Sequence, residues 1–281
     1  MIKIGDIRHL VLLLAGFYAV CPATVKAQAR DTLTSFSLAN QITLNEPVIL
    51  YVTLENASAD IVKVDLGANR VGAFRLAVTN PKGERLQLKP FSRPTEGMVL
   101  VGPIELQAGQ SYVGRILLNR WFDFSGLGDY FVEAQLENPS DSGHRRATGQ
   151  RKFHARLRVV ARDPEQLRAT CEILGQEVIS STSVEEALDA AVALSYVNDS
   201  VAVPFLQQIL ESGKTVELSA IQGLRNVGNA EAVRVLIAAT KLKRDGGEIA
   251  EMARSALLSL KAETSNPGIR QQIELALKED R

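Results

Sequence analysis

Cysteine is almost missing from this 281-residue chain, which has two, Cys21 and Cys171. Histidine is nearly as scarce, at three, and tryptophan occurs once. So few thiols and imidazoles leave no set of three or four ligands at a workable spacing, which argues against a zinc centre. Aromatic residues make up 5% of the chain, and no stacked aromatics interleave with the basic clusters. A groove that stacks single-stranded nucleic acid is therefore a poor fit. The formal net charge is zero, so bulk charge gives no attraction to nucleic acid either. No His-Glu-x-x-His, Gly-x-Ser-x-Gly or P-loop pattern occurs. Asp123, Asp129 and Asp141 lack the spacing of a calcium-binding loop. The expectation is a chain that is not an enzyme and takes no cofactor.

Long hydrophobic runs are absent too. Leu10 to Val20 is uncharged and mostly apolar, but shorter than the ~20 residues a membrane helix needs. With Lys3 and Arg8 before it and Val25-Lys26-Ala27 after it, the run reads as an export signal over residues 1–27. The mature chain would start at Gln28, carry no transmembrane segment and be periplasmic or secreted. Cys21 leaves with the signal unless it carries a lipid. Cys171 then remains alone, and an intramolecular disulfide is impossible. It falls in an apolar stripe and reads as a small buried hydrophobe.

What is present divides in two. From Gln28 to Arg162 the formal charge is +4, and from Asp163 to Arg281 it is −6, which supports a boundary near Asp163. In residues 31–162 the apolar period is 2. Leu50, Val52 and Leu54 alternate with Tyr51 and Thr53, and Phe153, Leu157 and Val159 with His154, Arg156 and Arg158. Such alternation places one strand face on a core. Turn residues punctuate the runs at Asn80-Pro81-Lys82-Gly83, Ala108-Gly109-Gln110 and Ser125-Gly126-Leu127-Gly128. Seven to nine short strands so spaced predict an antiparallel two-sheet sandwich.

In residues 163–281 the period becomes 3.6. Asp163-Pro164-Glu165 is a helix start, with an N-cap, then Pro, then an acid. Leu167, Cys171, Leu174 and Val178 form the stripe behind it. Ser183-Val184-Glu185-Glu186 matches a capping box. Beyond it lies a self-similarity at 30 residues: Ala193-Leu194-Ser195-Tyr196-Val197-Asn198-Asp199 is echoed by Gly223-Leu224-Arg225-Asn226-Val227-Gly228-Asn229. A fixed period of this size marks stacked supersecondary units. Three helix pairs behind one leading helix are predicted, over about 183–210, 215–243 and 248–278. The short linker Ala161-Arg162-Asp163 predicts a fixed angle between the halves.

Two families resemble these halves. Asn45-Glu46-Pro47-Val48-Ile49-Leu50 resembles the second-strand signature of bacterial extracellular Ig-like domains, with Asn45 where Gly is frequent. Gly128-Asp129-Tyr130-Phe131-Val132 resembles the tyrosine corner of Ig-like folds, which implies that the phenol bonds back to the main chain. Val201-Ala202-Val203-Pro204-Phe205-Leu206 and Ala253-Arg254-Ser255-Ala256-Leu257 resemble the halves of short HEAT-like repeats of the phycobilin lyase type. Together these resemblances imply a multidomain β plus α protein, an Ig-like β-sandwich followed by an α-α HEAT-type solenoid.

Helical stacks mostly bind, so the leading expectation is a non-enzymatic protein-binding or scaffold protein of the bacterial envelope or exterior. Lys152, Arg156 and Arg158, with His154, share one strand face and form a patch for an anionic partner. Tyr196 and Arg234 are the anchor candidates of the helical half, because aromatic and Arg side chains dominate tight interfaces. Two alternatives stand beside this. One is a proteinase inhibitor acting through the long loop 89–101, and the other is a lyase-type or cofactor-handling protein. The partner's identity and the oligomeric state are not legible.

Overall fold

The computed structural model describes residues 25–28, 32–66, 73–89, 103–136, 152–213, 216–242 and 247–279. Strands occupy the chain up to Val160, and α-helices begin at Pro164. The described strands are β1 (Val25–Gln28), β2 (Thr32–Ser37), β3 (Gln41–Thr43), β4 (Ile49–Asn56), β5 (Val62–Asp65), β6 (Phe74–Thr79), β7 (Pro103–Leu106), β8 (Ser111–Leu117), β9 (Gly128–Leu136) and β10 (Phe153–Val160). They form one sheet in the order β1-β2-β4-β8, a second in the order β3-β10-β9-β6, and a small β5-β7 pair.

The alternating runs bury the side chains that their period implies. Leu50, Val52 and Leu54 of β4 are buried, as are Phe153, Leu157 and Val159 of β10. Both four-stranded sheets feed a single core. Phe36 of β2 stacks on Phe153 of β10 at 5.4 Å between centroids and meets Phe74 of β6 edge-on at 5.9 Å. The Tyr130 hydroxyl donates to the Gly126 carbonyl and accepts from the Gly126 N–H, both at 3.0 Å. This is the back-bond that the corner resemblance implies. One pairing corrects the expectation of wholly antiparallel sheets: β3 runs parallel to β10, with Gln41 opposite Arg158. The cause is a crossover. β2 belongs to the first sheet and β3 to the second, so the chain changes sheets at 38–40 and arrives beside β10 in the same direction.

The helices are α1 (Pro164–Ser180), α2 (Val184–Ser195), α3 (Val203–Ser212), α4 (Glu217–Val227), α5 (Ala230–Ala239), α6 (Glu248–Glu263) and α7 (Pro267–Glu279). The Asp163 carboxylate caps α1 by accepting from the Glu165 and Gln166 N–H groups. Ser183 caps α2 through the Glu186 N–H, but the Glu186 carboxylate turns to the Ser181 hydroxyl at 2.8 Å, so the capping box is only half closed. α1, α3, α5 and α7 touch in series as one row, and α2, α4 and α6 as another. The 30-residue echo acquires a physical meaning here. Asp199 and Asn229, equivalent in the echo, each cap the next helical turn, through the Val201 N–H at 3.1 Å and the Ala232 N–H at 2.8 Å. Gly223 lets α4 approach α2 closely, since a Cβ there would lie 2.9 Å from the Ser195 Cα and 2.8 Å from Leu206 Cδ2.

The two halves are joined by far more than the linker. The Thr43 hydroxyl donates to the Ala161 carbonyl at 2.8 Å and accepts from the Asp163 N–H at 2.7 Å. Arg162 forks onto Asp199, between α2 and α3, at 2.5 and 2.9 Å. Glu46 is buried and accepts from Thr43 N–H at 2.9 Å, Gln166 at 2.8 Å and Thr170 at 2.7 Å. Burial pushes the Glu46 carboxyl up, against these three bonds. Asn45 turns the chain into this contact at a φ of 74°, a left-handed conformation that Gly and Asn tolerate best. That explains why Asn stands there in place of Gly. Beside this network Arg115 of β8 pairs with Glu177 of α1, Tyr112 donates to Glu185 of α2 at 2.8 Å, and Ile49 and Leu117 pack into the helical core.

Candidate binding surface

The second sheet turns its other face to solvent, and alternation decides what that face carries. Residues 154, 156 and 158 of β10 point away from the core, as do 129, 131 and 133 of β9. Register then sets the neighbours: Arg158 lies opposite Asp129, Arg156 opposite Phe131 and His154 opposite Glu133. Thr79 of β6 lies opposite Phe131 on its other side, and exposed Arg75 lies opposite Gln135. Lys152 is exposed just before β10.

The result is a field of cations around an aromatic ring. Phe131 is 53% exposed, although a free phenyl ring gains by burial. Arg156 reaches Asp129 at 2.5 Å, and Arg158 lies 4.0 Å from the same carboxylate. The Arg156 hydrogen bond holds the Asp129 carboxyl below its usual range. His154 lies 3.6 Å from Glu133. Two carboxylates thus sit among Lys152, Arg156, Arg158 and Arg75, which leaves the face net positive. Such a face orients anionic groups while an exposed ring supplies apolar contact.

Of the residues expected to bind a partner, Arg156 and Arg158 are therefore brought together on one strand face, with Lys152 exposed just before the same strand. Tyr196 and Arg234 are not. Tyr196 ends α2 and lines a cleft of about 300 Å³ with Asn198, Arg225, Asn226 and Glu263. In that cleft Arg225 pairs with Glu263 at 2.5 Å, and the Asn226 amide donates to the Ser195 carbonyl at 3.0 Å. Arg234 is exposed on α5, in the other row of helices. Phe131 was not among the residues expected to bind a partner. Its signal was available, since Tyr130 and Val132 are core positions and the residue between them must face out.

Residues 90–101 of the expected inhibitory loop lie outside the described residues, as do Arg145, Arg146, Arg151 and the signal segment up to residue 24. β1 (Val25–Gln28) spans the expected cleavage position and pairs with β2. Among the described residues, no group of three or more His, Cys, Asp or Glu is placed to hold a metal ion. None of the described helices is long and apolar enough to cross a membrane. The Cys171 thiol is buried, and burial, with Asp199 and Glu46 nearby, pushes it up to about 12.

No protein-family profile matches the chain. No curated protein matches it either. Solved structures resemble about half of it. The C-terminal domain of wzt is 14% identical with a TM-score of 0.29, over 51% of this chain and 81% of that one. The CARDB domain of a Pyrococcus furiosus protein, solved with di-metal ions, is 10% identical with a TM-score of 0.27, over 48% and 93%. A β-glucosidase from Listeria innocua, solved with isofagomine, is 14% identical with a TM-score of 0.25, over 50% of this chain. The match spans only 17% of the β-glucosidase's length. Scores this low assign this chain neither a fold family nor an activity.

Proposed function

We propose that this chain is a non-enzymatic binding protein of the bacterial envelope or exterior, exported through its N-terminal segment. In this reading an Ig-like sandwich and a short HEAT-type solenoid hold one another at a fixed angle, and an acidic protein partner lies against the outer face of the second sheet. One observation carries it: Lys152, Arg156 and Arg158 stand on one face beside a ring, Phe131, that is 53% exposed. Arg and aromatic side chains supply most of the energy of protein interfaces. The junction through Glu46, Arg115 and Arg162 supports the reading further, because a surface fixed before binding loses less entropy when the partner arrives.

The test is cross-linked affinity capture from the source cell envelope, with the intact chain and with the double variant Arg156→Glu, Arg158→Glu as baits. The expected result is one stoichiometric protein retained by the first and lost by the second. Retention of the same proteins by both baits would refute the assignment of the binding face.

A further inference from the structure

Among the described residues, the strand that carries the basic side chains also has an unused flank. β10 runs from Phe153 to Val160, and β9 pairs with it over Phe153–Val159. On its other side β3 is short and pairs only with Arg158–Val160. Among the described residues, nothing pairs with Phe153–Leu157 on that side. The orientation of the free groups is set by one bond. The Arg158 N–H donates to the Asn40 carbonyl at 2.8 Å, toward the β3 side. Main-chain groups of alternate strand residues point the same way, so the N–H and C=O of Arg156 and His154 also aim at the open flank. An edge with unpaired main-chain groups is a template for another strand.

The side chains along this edge specify which strand. Lys152, His154, Arg156 and Arg158 succeed one another on the outer face, about 6.8 Å apart from one to the next. On the inner face Phe153 and Leu157 are fully buried, and Ala155 is partly buried. An added strand would have its own alternate side chains opposite these. Carboxylates on its outer face meet the cations, and apolar groups on its inner face extend the core. Its acids have to compete with Asp129 for Arg156 and with Glu133 for His154.

We propose that Phe153–Leu157 is a strand-addition site for an extended segment of a partner protein with acidic residues at every second position and apolar residues between them. This inference rests on the binding-protein reading and sharpens it, since the partner then joins the sheet edge as well as touching its face. Main-chain bonds supply the affinity of such a complex, and the alternate side chains supply its selectivity.

The experiment uses the full chain and two peptides of equal composition, Glu-Val-Glu-Val-Glu-Val and Glu-Glu-Glu-Val-Val-Val, with affinity read by fluorescence anisotropy and edge pairing by amide hydrogen exchange. The alternating peptide should bind about tenfold more tightly than the blocked one, a preference that requires the side-chain register of a strand. It should slow exchange at the His154 and Arg156 amides, and Arg156→Glu should weaken it severalfold. Equal affinity for the two peptides, or binding without protection of those two amides, overturns strand addition. Capture that still depends on Arg156 and Arg158 would then leave the basic face standing as a binding surface. Binding of neither peptide likewise overturns strand addition, and if the double variant also captures the same proteins as the native chain, both readings fall together.

Discussion

Replacing Asp199 with Asn tests whether charge holds the two halves together. Asp199 is buried at 8% exposure and accepts a two-pronged contact from Arg162, at 2.5 and 2.9 Å. The Arg162 hydrogen bonds, with help from the Val201 N–H, lower the Asp199 carboxyl from 3.8 to about 2. A drop of this size corresponds to about 2.4 kcal/mol of native-state stabilisation at neutral pH. Arg162 is 42% exposed, and solvent screening reduces the expected effect to about 1–2 kcal/mol. The folded-state value lies below the unfolded one, so the stabilisation is complete above pH 4–5 and is lost as pH falls through about 2. D199N keeps the shape and an acceptor for the Val201 N–H but removes the charge. At pH 7 it should melt about 2–8 °C lower than the native chain. By pH 3 about half of the difference should remain, and by pH 2 very little. Thermal melts monitored by circular dichroism at pH 7, 4, 3 and 2 measure this. A variant as stable as the native chain at pH 7 would refute the reasoning, and so would a deficit that persists unchanged at pH 2.

Gly223→Ala should destabilise the helical half by about 1–3 kcal/mol, because the new methyl meets the Ser195 main chain at 2.9 Å. A urea titration read at 222 nm would show it, and an unchanged midpoint would mean that α2 and α4 can move apart. Cys171, with its thiol pushed up to about 12 by burial, should resist alkylation by iodoacetamide at pH 8 in the native chain and react within minutes in urea. Rapid labelling of the native chain, detected by intact mass, would contradict its burial.

The legible part of this protein was its periodicity. Alternation at 2 marked β4 and β10 because one strand face must be buried, and the 3.6 stripe of Leu167, Cys171, Leu174 and Val178 marked α1 for the same reason. Caps at Asp163 and Ser183 were legible because they satisfy main-chain groups within three residues of themselves. β3 was not legible. It spans three residues, too few to show a period, and its parallel pairing depends on a crossover between sheets.

The site divides along the same line. The order of residues alone determined that Lys152, His154, Arg156 and Arg158 share a face, and that Phe131 turns away from the core. Strand register, a property of the assembled sheet, decided that Phe131 stands opposite Arg156 and that β3 pairs with β10 only from Arg158 onward. Glu46 makes the contrast plainest. Asn45-Glu46-Pro47 reads locally as a turn into a strand, yet two of the three bonds on the Glu46 carboxylate come from Gln166 and Thr170, 120 and 124 residues away. Local chemistry acts over a few residues and is written in their order. A contact between distant segments exists only once the core has fixed their positions, so the tertiary structure alone decided how the two halves meet.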